Sequence, residues 1–189
     1  FLEDFALDLA TYLAGQRYRD PRLFGSRLSL GERFDVIWNK NSGALEGGIA
    51  QLSFEKPIYS LATHWGWGAY FDYQKNIYRQ FAGGTILSVG APSTGERVLY
   101  QYRQEILETK AELTHSWGDE YKLQVGGGPR LIARTFSFYD SVGTLNPASI
   151  ADFNSTFLPR TESMGVLAAN MRFFRAKFVQ LYDIERYSV

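Results

Sequence analysis

Cysteine is absent from this 189-residue chain, so structural disulfides, thiolate catalysis and Cys-based zinc sites are excluded. The compartment stays open, because oxidising and reducing compartments both hold cysteine-free proteins. An excess of either charge is missing too: Lys plus Arg and Asp plus Glu each number 20. Without a basic field nothing steers nucleic acid to the chain, and that class of partner is set aside. No run of about 18 apolar residues occurs, which rules out a transmembrane helix. The membrane itself is not ruled out, because a spanning β-strand needs only about 9–11 alternating residues. A methionine start is lacking as well. Opening at Phe1 implies a processed form or a segment, with any signal peptide already gone.

What the chain has in quantity is aromatic side chains and glycine: 14 Phe, 12 Tyr, 4 Trp and 18 Gly, a mixture suited to strands and turns. Periodicity points the same way. From Arg27 to Asn39 one face reads Leu28, Leu30, Glu32, Phe34, Val36 and Trp38, the other Arg27, Ser29, Gly31, Arg33, Asp35, Ile37 and Asn39. From Ser60 to Gln74, Leu61, Thr63, Trp65, Trp67, Ala69, Phe71 and Tyr73 share a side. Ser60, Ala62, His64, Gly66, Gly68, Tyr70, Asp72 and Gln74 share the small, polar one. Weaker alternation elsewhere completes a set of about seven long strands near 4–18, 26–39, 47–57, 60–74, 99–117, 121–139 and 163–182. The expected fold is all-β: an antiparallel up-and-down meander in one domain over 1–189, part or all of an outer-membrane-type barrel. No segment reads as a convincing helix.

The connections sharpen that expectation. "RYRDPRLFG", "KPIY" and "WGDE" alternate with "NKNSGALEG" and two much longer segments between the fourth and fifth and the sixth and seventh strands. Outer-membrane barrels have short turns on the periplasmic rim and long loops on the other. In such a barrel Trp38, Trp65, Trp67, Phe71 and Tyr73 would face lipid, with Trp and Tyr towards the interfaces. In a soluble barrel or sandwich the same aromatics would form a core, with an apolar ligand bound inside.

"DPRLFGSRLSLG" resembles the early periplasmic turn of the BamA/TamA-type outer-membrane assembly and translocation barrels, the bacterial surface antigen superfamily. That turn reads roughly Asn-hydrophobic-Phe/Leu-Gly-Thr/Ser-Gly and leads into an alternating strand. Leu23, Phe24, Gly25 and Ser26 match it, whereas Arg22 stands for the usual Asn and Arg27 for a common Gly. About one hairpin later, "QLSFEKPIYS" fits the family's strand ending in a polar residue, Pro (here Pro57) and an apolar pair. The periplasmic POTRA-type repeats and the lumen-loop Arg-Gly-Phe/Tyr motif are not in this sequence, so the resemblance is to part of a barrel. It implies a bacterial outer-membrane location, membrane lipid and unfolded outer-membrane or secreted client proteins as partners, and insertion or translocation of proteins without bond chemistry.

Other constellations carry less. His64 and His115 are the only histidines, and neither a Gly-x-Ser-x-Gly elbow nor a His-x-x-x-His pair accompanies them, so no catalytic residue, metal site or cofactor is assigned. Gly126–Pro129 lacks the Lys-Ser/Thr of a phosphate-binding loop and reads as a strand kink. Asn154-Ser155-Thr156 is formally a glycosylation sequon, meaningless in a bacterial barrel. Glu105, Glu108, Lys110 and Glu112, with Arg130 and Arg134 on the next strand, line a channel or form cross-strand ion pairs on a wet face.

Overall fold

The computed structural model describes residues 2–7, 10–60, 62–119, 121–140 and 143–175. Alternation becomes strand almost throughout. The chain forms β1 (Leu2–Leu7), β2 (Thr11–Asp20), β3 (Ser29–Asn39), β4 (Leu45–Lys56) and β5 (Trp65–Arg79). Four short strands follow: β6 (Phe81–Ala82), β7 (Thr85–Ile86), β8 (Ser88–Gly90) and β9 (Arg97–Leu99). Then come β10 (Gln101–Trp117), β11 (Tyr121–Phe138), the helix α1 (Pro147–Thr156) and β12 (Glu162–Arg175).

The long strands make one eight-stranded sheet in the order β1-β2-β3-β4-β5-β10-β11-β12, antiparallel at every step. This is the all-β meander that the alternation predicts. Among the described residues β1 and β12 are its two edges.

Three details differ from the sequence expectation. The stretch expected as a single first strand near 4–18 is two strands, β1 and β2, folded on each other as a hairpin, which raises the count to eight. β5 runs on to Arg79, beyond the end of its apolar alternation at Gln74. Its last rungs face β10 as Lys75–Glu105, Ile77–Arg103 and Arg79–Gln101, and a Lys75–Glu105 ion pair replaces the apolar contact that the pattern looks for. Within the last expected strand, 176–182 lie outside the described residues.

The helix α1 is the third difference. Asn146 caps it, its side-chain carbonyl accepting from Ala148 N at 2.9 Å, and Pro147 opens it. Both are helix-start signals. What hides the helix in the sequence is its weak amphipathicity: Phe153 and Ser149 are its buried residues, too few for a 3.6-residue stripe.

An up-and-down sheet puts alternate connections on opposite rims. One rim, the near rim, carries the turns 21–28, 57–64 and 118–120; the far rim carries 40–44 and the long segments 80–100 and 139–161. The long segments fold on each other. β6 and β7 form a hairpin across Gly83-Gly84, both at positive φ, and β8 and β9 form a second. The buried cluster among the described residues lies at this rim, where the long segments meet the ends of β10 and β11: Ala91, Val98, Tyr102 and Phe153, flanked by Tyr100, Phe136, Phe138 and Phe157.

Candidate functional site

Directly opposed residues of an antiparallel ladder project to the same side, so the register sorts every side chain of the sheet between two faces. One face carries Tyr12, Ala14 and Tyr18 of β2, then Leu30, Phe34, Val36 and Trp38 of β3. It continues through Ala50, Leu52 and Phe54 of β4 to Trp65, Trp67, Ala69, Phe71 and Tyr73 of β5. Leu107, Ala111, Leu113 and Trp117 of β10 extend it, followed by Leu123, Val125, Leu131 and Ala133 of β11. It ends on Leu167, Met171 and Phe173 of β12. All five aromatics expected to share a face do so. Trp65, Trp67 and Phe71 are exposed on it, with Trp38 and Tyr73 half-buried between their neighbours.

This apolar face is the exposed one, which inverts the arrangement of a water-soluble sheet. Leu113, Leu131, Leu167, Met171 and Phe173 are each at least half exposed. The band has edges. Above Tyr73 and Leu107 the same face turns polar, with Lys75, Glu105 and Thr135 level with one another in the register. Below, it reaches Trp65, His115 and Trp117: the Trp65 and His115 rings meet edge-on with centroids 4.2 Å apart, and the His115 and Trp117 rings are tilted with centroids 4.1 Å apart.

The opposite face is polar and hydrogen-bonded across strands. Gln51 Nε2 donates to Asp72 at 3.0 Å and Tyr70 Oη to Glu55 at 2.9 Å. Arg130 pairs with Glu108 at 2.8 Å, Arg134 with Glu162 at 2.9 Å and Lys110 with Glu112 at 2.5 Å. The charged residues picked out on the fifth and sixth expected strands thus form ion pairs: Arg134–Glu162 and Lys75–Glu105 across a rung, Arg130–Glu108 on a diagonal, and Lys110–Glu112 along one strand. Asn170 of β12 reaches over β11 to Glu112 of β10 at 3.2 Å, passing above Gly126. The sheet curls around this face: side chains from β2, β3, β4, β5 and β10 line one cleft of about 710 Å³.

The near-rim turn is built by its own residues. Asp20 accepts from Arg22 N at 2.8 Å, Leu23–Gly25 form a single 3-10 turn, and Ser26 Oγ accepts from Leu28 N at 3.1 Å. Phe24 sits at φ 52° and is 96% exposed, while Leu23 and Ser26 are half-buried. Arg27 lies over the ring of Tyr59, 4.8 Å from its centroid, which ties this turn to the neighbouring one that begins at exposed Pro57. The two motifs that the sequence singles out therefore meet on one rim.

At the far rim Glu96 accepts from Ser149 Oγ at 2.5 Å, and Asp152 accepts from the hydroxyl and backbone N–H of Ser93 at 2.7 and 2.8 Å. Those two hydrogen bonds hold the Asp152 carboxyl below the ordinary Asp value. Sequence reasoning did not single out this loop-to-loop clasp, nor the buried pair Glu46–Arg79, where Glu46 occupies a bulge in β4 and also accepts from Asn39 at 2.8 Å. Among the described residues no group of three or more His, Asp or Glu side chains converges in a way that could hold a metal ion. No helix there is long and apolar enough to cross a membrane, which says nothing of strands. No family model, no curated protein and no solved structure matches the chain.

Proposed function

We propose that this chain is the β-barrel portion of a bacterial outer-membrane protein, its apolar face against lipid and its polar cleft against the lumen. The observation that carries the reading is the sidedness of the sheet: exposed Trp, Phe, Leu and Met on one face, ion pairs and carboxamide bonds on the concave one. Burying the apolar face in water-free surroundings is favourable at roughly 25 cal/mol per Å², and the band has the height that a bilayer offers. On β10 it runs from Leu107 to Trp117. Ten steps of about 3.3 Å at a tilt of roughly 40° rise about 25 Å, the height of an outer-membrane apolar belt.

The role assigned within that class is insertion or translocation of other proteins, as in the BamA/TamA-type barrels. Supporting it are the near-rim turn Leu23–Ser26 and the Pro57 turn beside it, bridged by Arg27 and Tyr59. On this reading the chain does its work by presenting strands and perturbing lipid, with no covalent step.

The deciding experiment is refolding with and without detergent micelles or phospholipid vesicles. The expected result is a folded, monodisperse species only with amphiphile. A folded, monodisperse chain in buffer with no affinity for vesicles overturns the membrane reading and favours a soluble sheet. Vesicles that hold the folded chain should then speed insertion of an unfolded outer-membrane test barrel; absence of acceleration removes the assembly role and leaves the barrel.

A further inference from the structure

The polar face has a second cavity, of about 230 Å³, at its near-rim end, set apart from the larger cleft by Tyr70, which lines both. Two glycines of β5 make the room. A Cβ on Gly66 would stand 2.9 Å from Ile58 Cγ1, and one on Gly68 would stand 2.9 Å from the Tyr70 phenol. Ile58, of the turn that begins at Pro57, therefore lies over the first glycine and the Tyr70 ring over the second. These two side chains are the end walls of the cavity.

Its sides are polar. Glu55 of β4 accepts from Ser29 Oγ at 3.3 Å and from Tyr70 Oη at 2.9 Å. On the other side of β5, Glu112 meets Lys110 and accepts from Asn170 at 3.2 Å. A carboxylate has about four lone-pair sites, so both acids keep acceptor capacity. Gln124 of β11, opposite Ser116 in the register, lines the cavity, and its carboxamide makes no hydrogen bond among the described residues. Lys56 at the cavity and Lys110 on Glu112 balance the two carboxylates. With no net charge, the cavity suits an uncharged guest better than an ion. At roughly 30 Å³ per water molecule it has the room of about seven waters, or of one six-membered polyhydroxylated ring.

We infer that this cavity binds one neutral sugar unit, its hydroxyls donating to Glu55 and Glu112 and a neighbouring hydroxyl pair meeting the carboxamide of Gln124. The C–H face of the ring lies against Tyr70. A carboxamide both donates and accepts, which matches two adjacent hydroxyls. An apolar guest would leave these polar groups unsatisfied, at a cost that a polyhydroxylated one avoids. A free monosaccharide and the terminal unit of a glycan present the same chemistry. The inference does not depend on the membrane reading, since it uses the polar face alone.

The test is saturation-transfer NMR and calorimetric titration of the folded chain, kept in solution by a polyoxyethylene detergent that has no sugar headgroup. D-glucose, D-galactose and N-acetyl-D-glucosamine make one arm, maltotriose and chitotriose the other, with ethylammonium chloride as the ionic comparison. At least one sugar is expected to saturate a single site in about the millimolar range, as suits so small a ligand. Raising the salt should not weaken it, because the guest carries no charge. Q124A should weaken binding about fivefold and E55Q about tenfold, since a hydrogen bond to a charged group is the stronger. Q51A, whose carboxamide lies in the larger cleft, should leave it unchanged. Tighter binding of a trisaccharide assigns the site to a glycan end, and equal or weaker binding to a free monosaccharide. Absence of saturable sugar binding overturns the inference, as does binding that neither Q124A nor E55Q alters, or saturable binding of ethylammonium alone. The Gln124 carboxamide holds no described partner, so Q124A should fold, and far-ultraviolet circular dichroism verifies it.

Discussion

Phe24 occupies left-handed backbone space, φ 52° and ψ 34°, beside Gly25 at φ 69°. For a residue with a Cβ that conformation costs roughly 1–2 kcal/mol, and here the ring recovers nothing by burial. Phe24→Gly should therefore leave the fold's stability unchanged or raise it by up to about 1 kcal/mol, and Phe24→Val should lower it by about 1 kcal/mol, both read from denaturant midpoints. If Phe24→Gly also abolishes acceleration of barrel insertion, the ring serves a partner and not the fold. Asp152 gives a second test at this scale. Its carboxyl is held below the ordinary Asp value by Ser93, so the clasp is fully in place above about pH 3.9. It is lost as pH falls through the lower folded-state value, since protonation then competes with the Ser93 donors. Amide exchange at Ser93 should accelerate only below that range. Asp152→Asn, which keeps an acceptor but cannot titrate, should remove the pH dependence; an unchanged profile would show that the clasp does not depend on this carboxylate.

Elements differ in how plainly the sequence announces them, and the difference is physical. β3, the first part of β5 and β10 are legible because each must place one side chain in two on an apolar face. The hairpin of β1 and β2 is obscured because both arms carry the same alternation, so a turn between them reads as continued strand. α1 is announced only by Asn146 and Pro147, two residues against the strong periodicity on either side. Its energetics are correspondingly local. Asn146→Ala should cost about 1 kcal/mol of helix stability and raise exchange in 147–156, with little change in β10–β11; a global loss would mean that the loop cap supports the whole sheet. The candidate surfaces divide in the same way. Trp65, Trp67, Phe71 and Tyr73 follow from the pattern of β5 and Trp38 from that of β3, whereas the Glu46–Arg79 pair needs the register between strands. Glycine placement has the same logic. A Cβ on Gly128 would run into the carbonyl oxygen of Ala111 and lie 3.1 Å from Glu112 Cα. Gly128→Val should then separate β10 from β11 locally and destabilise the fold by at least 1–3 kcal/mol, visible as faster exchange at Ala111 and Glu112.

At the scale of the whole molecule the question is what solvent the two faces of the sheet are built for. A soluble protein hides its apolar face, and its charge pairs sit outside, where they contribute little. Here the apolar residues are outside, and the ion pairs and carboxamides are gathered into the curl. If lipid is the outer solvent, the penalty for a charge depends on depth: about 2–4 kcal/mol for Arg at the midplane of a barrel's lipid face, falling towards zero near its edges. Leu113 and Leu131 lie inside the band, and Tyr12 lies towards its far-rim edge, opposite Trp38. The expected order of destabilisation in vesicle-folding titrations is therefore Leu113→Arg and Leu131→Arg well above Tyr12→Arg. Thr114→Arg, one residue along β10 and on the polar face, should not share the lipid penalty. In aqueous buffer the same exposed-face substitutions should improve solubility instead. A soluble sheet predicts no dependence on position along the band and no sign change between vesicle and buffer, so the four variants measured in both media separate the two solvents without reference to any partner.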